Sequence, residues 1–176
     1  MAELSTSRRS IAGILLAVAG AVLLIDLILQ FAGVTALGVW PAVIADLAIG
    51  VAFLILAIGS FRNTLARIAL VVAAVGFLLL ALGAVVALPA PVGLIASIAA
   101  AAGTLVAAIV LYAGKEITNL AAIAFIVTGV VLALVVLLPL LNVAVGAFGT
   151  VLALLYALGL LVTGILFARV QGARGR

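Results

Sequence analysis

The stretch "PAVIADLAIGVAFLILAIGSFR", residues 41–62, decides the fold. It holds one acid, Asp46, in an otherwise apolar run, and it closes on an aromatic and then a base. A helix rises 1.5 Å per residue, so about 20 apolar residues cross the hydrocarbon core of a bilayer. A surface helix of a soluble domain would instead carry a polar stripe along one face. Residues 41–61 therefore read as a membrane span, with Phe61 and Arg62 as its anchor at the headgroups.

The rest of the chain has the same character. Of its 176 residues, 70% are hydrophobic and 7% are charged. A soluble domain needs about 25% charged residues to cover its surface, so the solvent of this chain is lipid. It has no cysteine and no histidine. That removes disulfides, thiolate nucleophiles, imidazole bases and most transition-metal sites. The expectation is a non-enzymatic protein with no metal and no cofactor. The net charge of +4 comes from bases that stand singly or in pairs beside apolar runs. Such placement sets membrane topology and does not form a nucleic-acid stripe.

Working outward, six spans emerge: 11–31, 41–61, 65–88, 92–113, 117–138 and 143–167. Gly33, Gly38 and Pro41 separate the first two, and "SFRNTLAR" (60–67) the next. "LPAP" (88–91) stops the third, because proline lacks an N–H and biases its predecessor away from helix. "AGKE" (113–116) and "LPLLN" (138–142) make the last breaks. Arg8, Arg9, Arg62, Arg67, Lys115, Arg169, Arg174 and Arg176 all fall on one side, while loops 32–40, 89–91 and 139–142 carry no charge. The positive-inside rule makes that side cytoplasmic. The predicted organisation is an all-α, polytopic six-helix transmembrane bundle over 11–168, with a cytoplasmic tail at 1–10 and a basic cytoplasmic tail at 169–176. "SRRSIAGILLAVAG" (7–20) opens like a signal peptide, but its apolar run continues to Phe31, so the first span is expected to stay uncleaved.

The spans can be grouped as three tandem helical hairpins. "IAGILLAVAG" (11–20), "RIALVVAAVG" (67–76) and "LAAIAFIVTG" (120–129) open the odd spans, each ending in glycine, at Gly20, Gly76 and Gly129. The even spans end on an aromatic followed by a base: Phe61 and Arg62, Tyr112 and Lys115, Phe167 and Arg169. Recurrence at such a period is the mark of a tandem duplication. With "PAPVGLIASIAAAAGTLVAAIVLY" (89–112) and the opening stretch, this pattern resembles the HdeD-like acid-resistance membrane proteins and their short-repeat relatives. The resemblance covers nearly the whole chain and has no catalytic motif to carry over. It implies a bacterial inner-membrane protein of the envelope or acid-stress response.

Small residues recur at helical spacing. Gly13, Ala17 and Ala21 form a row in the first span; Ala100, Gly103, Thr104 and Ala107 lie in such rows in the fourth. Small side chains let helix backbones approach closely in lipid. Because the fourth span is small on most sides, it is expected at the centre of the bundle. The intramembrane threonines, Thr104 and Thr128 among them, are read as bonding their own helix carbonyls.

Asp26 and Asp46 are the best lead to function. Asp26 precedes the end of the first span by about as much as Asp46 follows the start of the second. At 1.5 Å per residue both lie roughly 7–8 Å inside the uncharged boundary. Gln30 shares a helical face with Asp26. A charge at mid-membrane costs about 2.5–3.5 kcal/mol, so such acids are retained for a reason or sit shallow enough to reach water. Facing each other, the two would hold one proton or a small cation between them, with Gln30 and Asn142 nearby. Two further functions fit the composition: a small proton-coupled transporter or channel using these acids, and the substrate-binding membrane subunit of an uptake system. The expected partners are the bilayer itself and a second copy or another membrane protein, with no nucleic acid.

Overall fold

The computed structural model describes residues 2–34, 37–141, 143 and 146–169, and the side chains of all of these except 2–6. The chain forms six helices: α1 (Ala2–Phe31), α2 (Trp40–Ala57), α3 (Thr64–Val85), α4 (Ala90–Ala113), α5 (Asn119–Leu140) and α6 (Gly146–Arg169). Each is long and apolar enough to cross a membrane, and no strand occurs among the described residues. The first helix begins well before the first span and takes in residues 2–10, where a tail is expected from sequence. The helix α2 stops at Ala57, short of the expected Phe61, because Gly59 turns the chain at φ +90, a conformation that favours glycine. Pro91 starts α4 at a position where its missing N–H has no partner to lose. Arg174, Arg176 and Asn142 lie outside the described residues.

The six helices form a closed ring. Each packs on its two neighbours in sequence, and α6 closes on α1. This corrects the expectation for α4: among the described residues its backbone packs beside those of α3 and α5 only. Its small residues serve two flanks of a ring position. Gly103 lies on the backbone of Ala69 and Ala73 in α3, while Leu105 of α4 lies on Gly129 of α5.

Two of the six interfaces bring backbones closest together. Gly13 and Gly20 of α1 lie against α6 at Gly164 and Ala157, and Gly164 in turn lies against Gly13 and Ala17. Gly76 of α3 lies against Ala96 and Ala100 of α4. Gly20, not the half-buried Ala21, therefore makes the next close approach after Ala17 on α1. The three glycines of the sequence repeat do not share one environment: Gly20 faces α6, whereas Gly76 and Gly129 both face α4.

Phenylalanines meet inside the ring. Phe53 of α2 lies 5.8 Å from both Phe77 of α3 and Phe125 of α5, and Phe125 lies 5.8 Å from Phe167 of α6. All four are buried. The outward faces stay apolar and exposed, with Ile14, Ile68, Ile95 and Ile123 each half or more accessible. Such a surface around a whole molecule is what a lipid-facing protein requires.

The basic end of the ring is tied together by side chains. A helix ends with unpartnered carbonyls and a partial negative charge. At the end of α2 three arginines answer it: Arg67 donates to the Ala57 carbonyl (2.8 Å), Arg8 to Ile58 and Arg9 to Ser60. Arg9 also donates to the Glu116 carbonyl (3.3 Å) and lies over the Phe61 ring at 4.6 Å. The turn after α4 closes with Lys115 N–H donating to Tyr112 and Glu116 N–H donating to Leu111, Lys115 taking φ 51. That turn aims Glu116 back across the end, where its carboxylate accepts from the backbone N–H groups of Arg62 and Asn63, both at 2.8 Å. Glu116, which reads from sequence as solvated, is thus a structural acceptor.

Candidate functional site

Helix periodicity places both aspartates inward. On α1, Ala12, Leu16, Ala19 and Leu23 succeed one another at helical spacing on the core face, and Asp26 continues that line, while Gln30 one turn further on is exposed. On α2, Asp46 stands on the face of the buried Ile49, Gly50 and Phe53. Both aspartates are partly buried, in the half of the bundle away from the bases.

The structure brings Asp26 and Gln30 together. The Gln30 side-chain amide donates to Asp26 Oδ2 at 2.7 Å. Asp26, Gln30, Leu37 and Gly38 line an open pocket of about 430 Å³ between the end of α1 and the loop that follows. Gly38 holds φ +55, a conformation that favours glycine.

Asp46 does not line this pocket. No hydrogen bond or electrostatic contact joins it to Asp26 among the described residues. Tyr156 of α6 packs against the core. The Tyr156 hydroxyl is buried and has no hydrogen-bond partner. Sequence reasoning does not single out Tyr156. The signal that could have found it is position: Tyr112 and Trp40 stand at span ends, as interfacial aromatics do, whereas Tyr156 stands in mid-span.

Three intramembrane hydroxyls are satisfied within their own helices. Thr104 donates to Ala100 (2.7 Å), Thr128 to Ala124 (2.8 Å) and Ser97 to Gly93 (2.9 Å). Thr128 and Thr163 also meet across α5 and α6 at 3.4 Å. No group of three acids, cysteines or histidines forms among the described residues. From the uncharged end inward, the bundle runs from the open pocket at Asp26, past the levels of Asp46 on α2 and Tyr156 on α6, to packed phenylalanines.

Six apolar spans around a filled interior define a multi-pass helical membrane protein. No protein-family model, curated protein or solved structure matches the chain.

Proposed function

We propose that this is a non-enzymatic membrane protein that takes up a proton or small cation from the side opposite its bases. The observation that carries the reading is the inward placement of Asp26 and Asp46 above a phenylalanine-packed interior. An acid on the inward face of a span is costly unless it binds something. The packed rings below it oppose an open pore, which favours binding or gated transfer over free conduction.

The one-sided bases set the acidic pocket on the outer face and both termini in the cytoplasm. The wider setting assigned is the one the HdeD-like resemblance implies: a bacterial inner-membrane protein of the envelope or acid-stress response. Trp40 is the single tryptophan, and it starts α2 close to Leu37 and Gly38, which line the pocket. In proteoliposomes, external acidification should change its fluorescence in the wild type. The change should vanish when Asp26 and Asp46 are both asparagine. A wild-type signal that ignores pH would sink the reading, and a proton-flux trace from the same vesicles separates binding from transfer.

A further inference from the structure

We infer that the pocket at Asp26 and Gln30 binds an organic ammonium ion, a cation that carries N–H groups and a short apolar substituent. The inference rests on the proposed function and names the cation taken up at the uncharged end. Three observations converge: the volume of the pocket, acceptors that no donor meets, and an apolar wall and rim.

The acceptors decide the charge. Gln30 Nε2 donates to Asp26 Oδ2 at 2.7 Å. Among the described residues nothing donates to Asp26 Oδ1 or to Gln30 Oε1, and no base pairs with Asp26. Arg8, Arg9 and Arg67 hold carbonyls at the end of α2, and Arg62, Lys115 and Arg169 stand at that same basic end. An ionised carboxylate only accepts, so the group that completes it must donate, and a positive donor gives the stronger bond. An ammonium group can serve the carboxylate and the carboxamide oxygen together, because both stand on one face of α1, one turn apart.

Volume and lining decide the rest. The pocket offers about 430 Å³, and a proton needs none of it. A divalent ion asks for six or more oxygen ligands, whereas Asp26 and Gln30 are the only two side chains here that supply oxygen. A partly apolar pocket with a few placed polar groups is built for an organic ligand. Leu37 supplies the apolar wall, since Gly38 beside it has no side chain. Phe31, Val34 and Trp40 stand exposed along the same segment, and the Trp40 backbone N–H donates to the Leu37 carbonyl at 3.3 Å. The ammonium therefore goes to Asp26 and the hydrocarbon to Leu37. Its source is a free amine or the headgroup of an ethanolamine lipid. The lipid brings a phosphate that no described base stands at this end to receive, which favours the free amine.

The chain has two glutamines, Gln30 and Gln171, so heavy nitrogen in the glutamine side-chain amide puts an NMR reporter in the pocket. The Gln30 signal is the one that survives Gln171→Ala. The full-length protein, in maltoside micelles that carry no amine, is titrated with butylammonium, ammonium, sodium and butanol. Butylammonium should move the Gln30 signal saturably, ammonium and sodium should need about tenfold more, and butanol should leave it in place. Asp26→Asn, with an unchanged circular-dichroism spectrum, should weaken butylammonium about tenfold or more. Leu37→Ala, at an exposed position, should bring butylammonium closer to ammonium. Ethanolamine lipid added to the micelles names the source. A lipid that produces the shift and blocks butylammonium identifies the headgroup, and an unaltered titration identifies the free amine; either result keeps the site. Equal potency of the three cations, or a titration that Asp26→Asn leaves unchanged, overturns the inference. Should Asp26→Asn fail to fold, a butylammonium preference that Leu37→Ala leaves unchanged does the same. A Gln30 signal that moves with acid or sodium but not with butylammonium overturns the inference while the proposed function stands. A signal that neither acid nor any cation moves overturns both.

Discussion

Gly164 of α6 rests directly on the backbone of Gly13 in α1, so that a methyl group added to Gly164 would come 2.6 Å from the Gly13 carbonyl oxygen. Backbone cannot yield as a flexible side chain can. Gly164→Val should therefore open the seam that closes the ring, costing about 1–3 kcal/mol or more. Gly93, near the start of α4, has open space around the place a methyl group would take, with no atom within 4 Å, and Gly93→Ala should stabilise by about 0.5–1 kcal/mol. Thermal unfolding in detergent, read by loss of helix, should move in opposite directions for the two variants.

Arg9→Lys separates two roles for the basic residues. Lysine preserves the charge that sets topology. It lacks the planar fork with which Arg9 spans the carbonyls of Ser60 and Glu116 and covers Phe61. The expected loss is about 1–2 kcal/mol with topology intact. Unchanged melting would show that the charge alone matters.

The spans are legible in the sequence because composition and the Gly and Pro breaks act locally. Pro91 marks its turn without help from the rest of the chain, whereas the expected second span runs past the turn at Gly59 to Phe61. The partners are not legible, because they depend on helix rotation and on residues far apart in sequence. Asp26 and Gln30 share one helix, so their contact can be read at a spacing of four. The buried, unpartnered Tyr156 hydroxyl depends on how α6 is turned in the ring, which no local pattern shows. The small residues of α4 suggest a central helix, but small faces equally suit the two flanks of a ring position. Glu116 looks solvated because its acceptor role depends on amides of a different turn.

Lys115 holds φ 51 at the end of α4, where glycine is the usual residue. A side chain in that conformation costs about 1 kcal/mol relative to glycine. Lys115→Gly should thus raise the melting temperature while leaving the Glu116 contacts to Arg62 and Asn63 in place. A drop instead would mean that the Lys115 charge contributes more than the backbone relief.

Single cysteines can be read directly, since the chain has none of its own. Leu37, exposed in the loop after α1, is a better site than Gly38, whose φ of +55 disfavours any side chain. Leu37→Cys should react with an impermeant maleimide on intact cells, and Ala113→Cys only after the cells are opened. Labelling of Ala113→Cys before opening, with Leu37→Cys protected, would reverse the assignment of the acidic pocket to the outer face.

Phe53 sits at the middle of the aromatic chain, 5.8 Å from Phe77 and from Phe125. Truncating a buried phenylalanine to alanine costs about 3–5 kcal/mol and leaves a cavity. Here that cavity would lie beneath Asp46, between the acidic half and the basic end. If the packed rings are what closes the interior, Phe53→Ala should give proteoliposomes a steady proton leak that the wild type lacks. Phe53→Leu, which refills most of the volume, should stay tight and melt closer to the wild type. A tight Phe53→Ala that still folds would place the barrier elsewhere, at the latch formed by Arg9, Phe61 and Glu116.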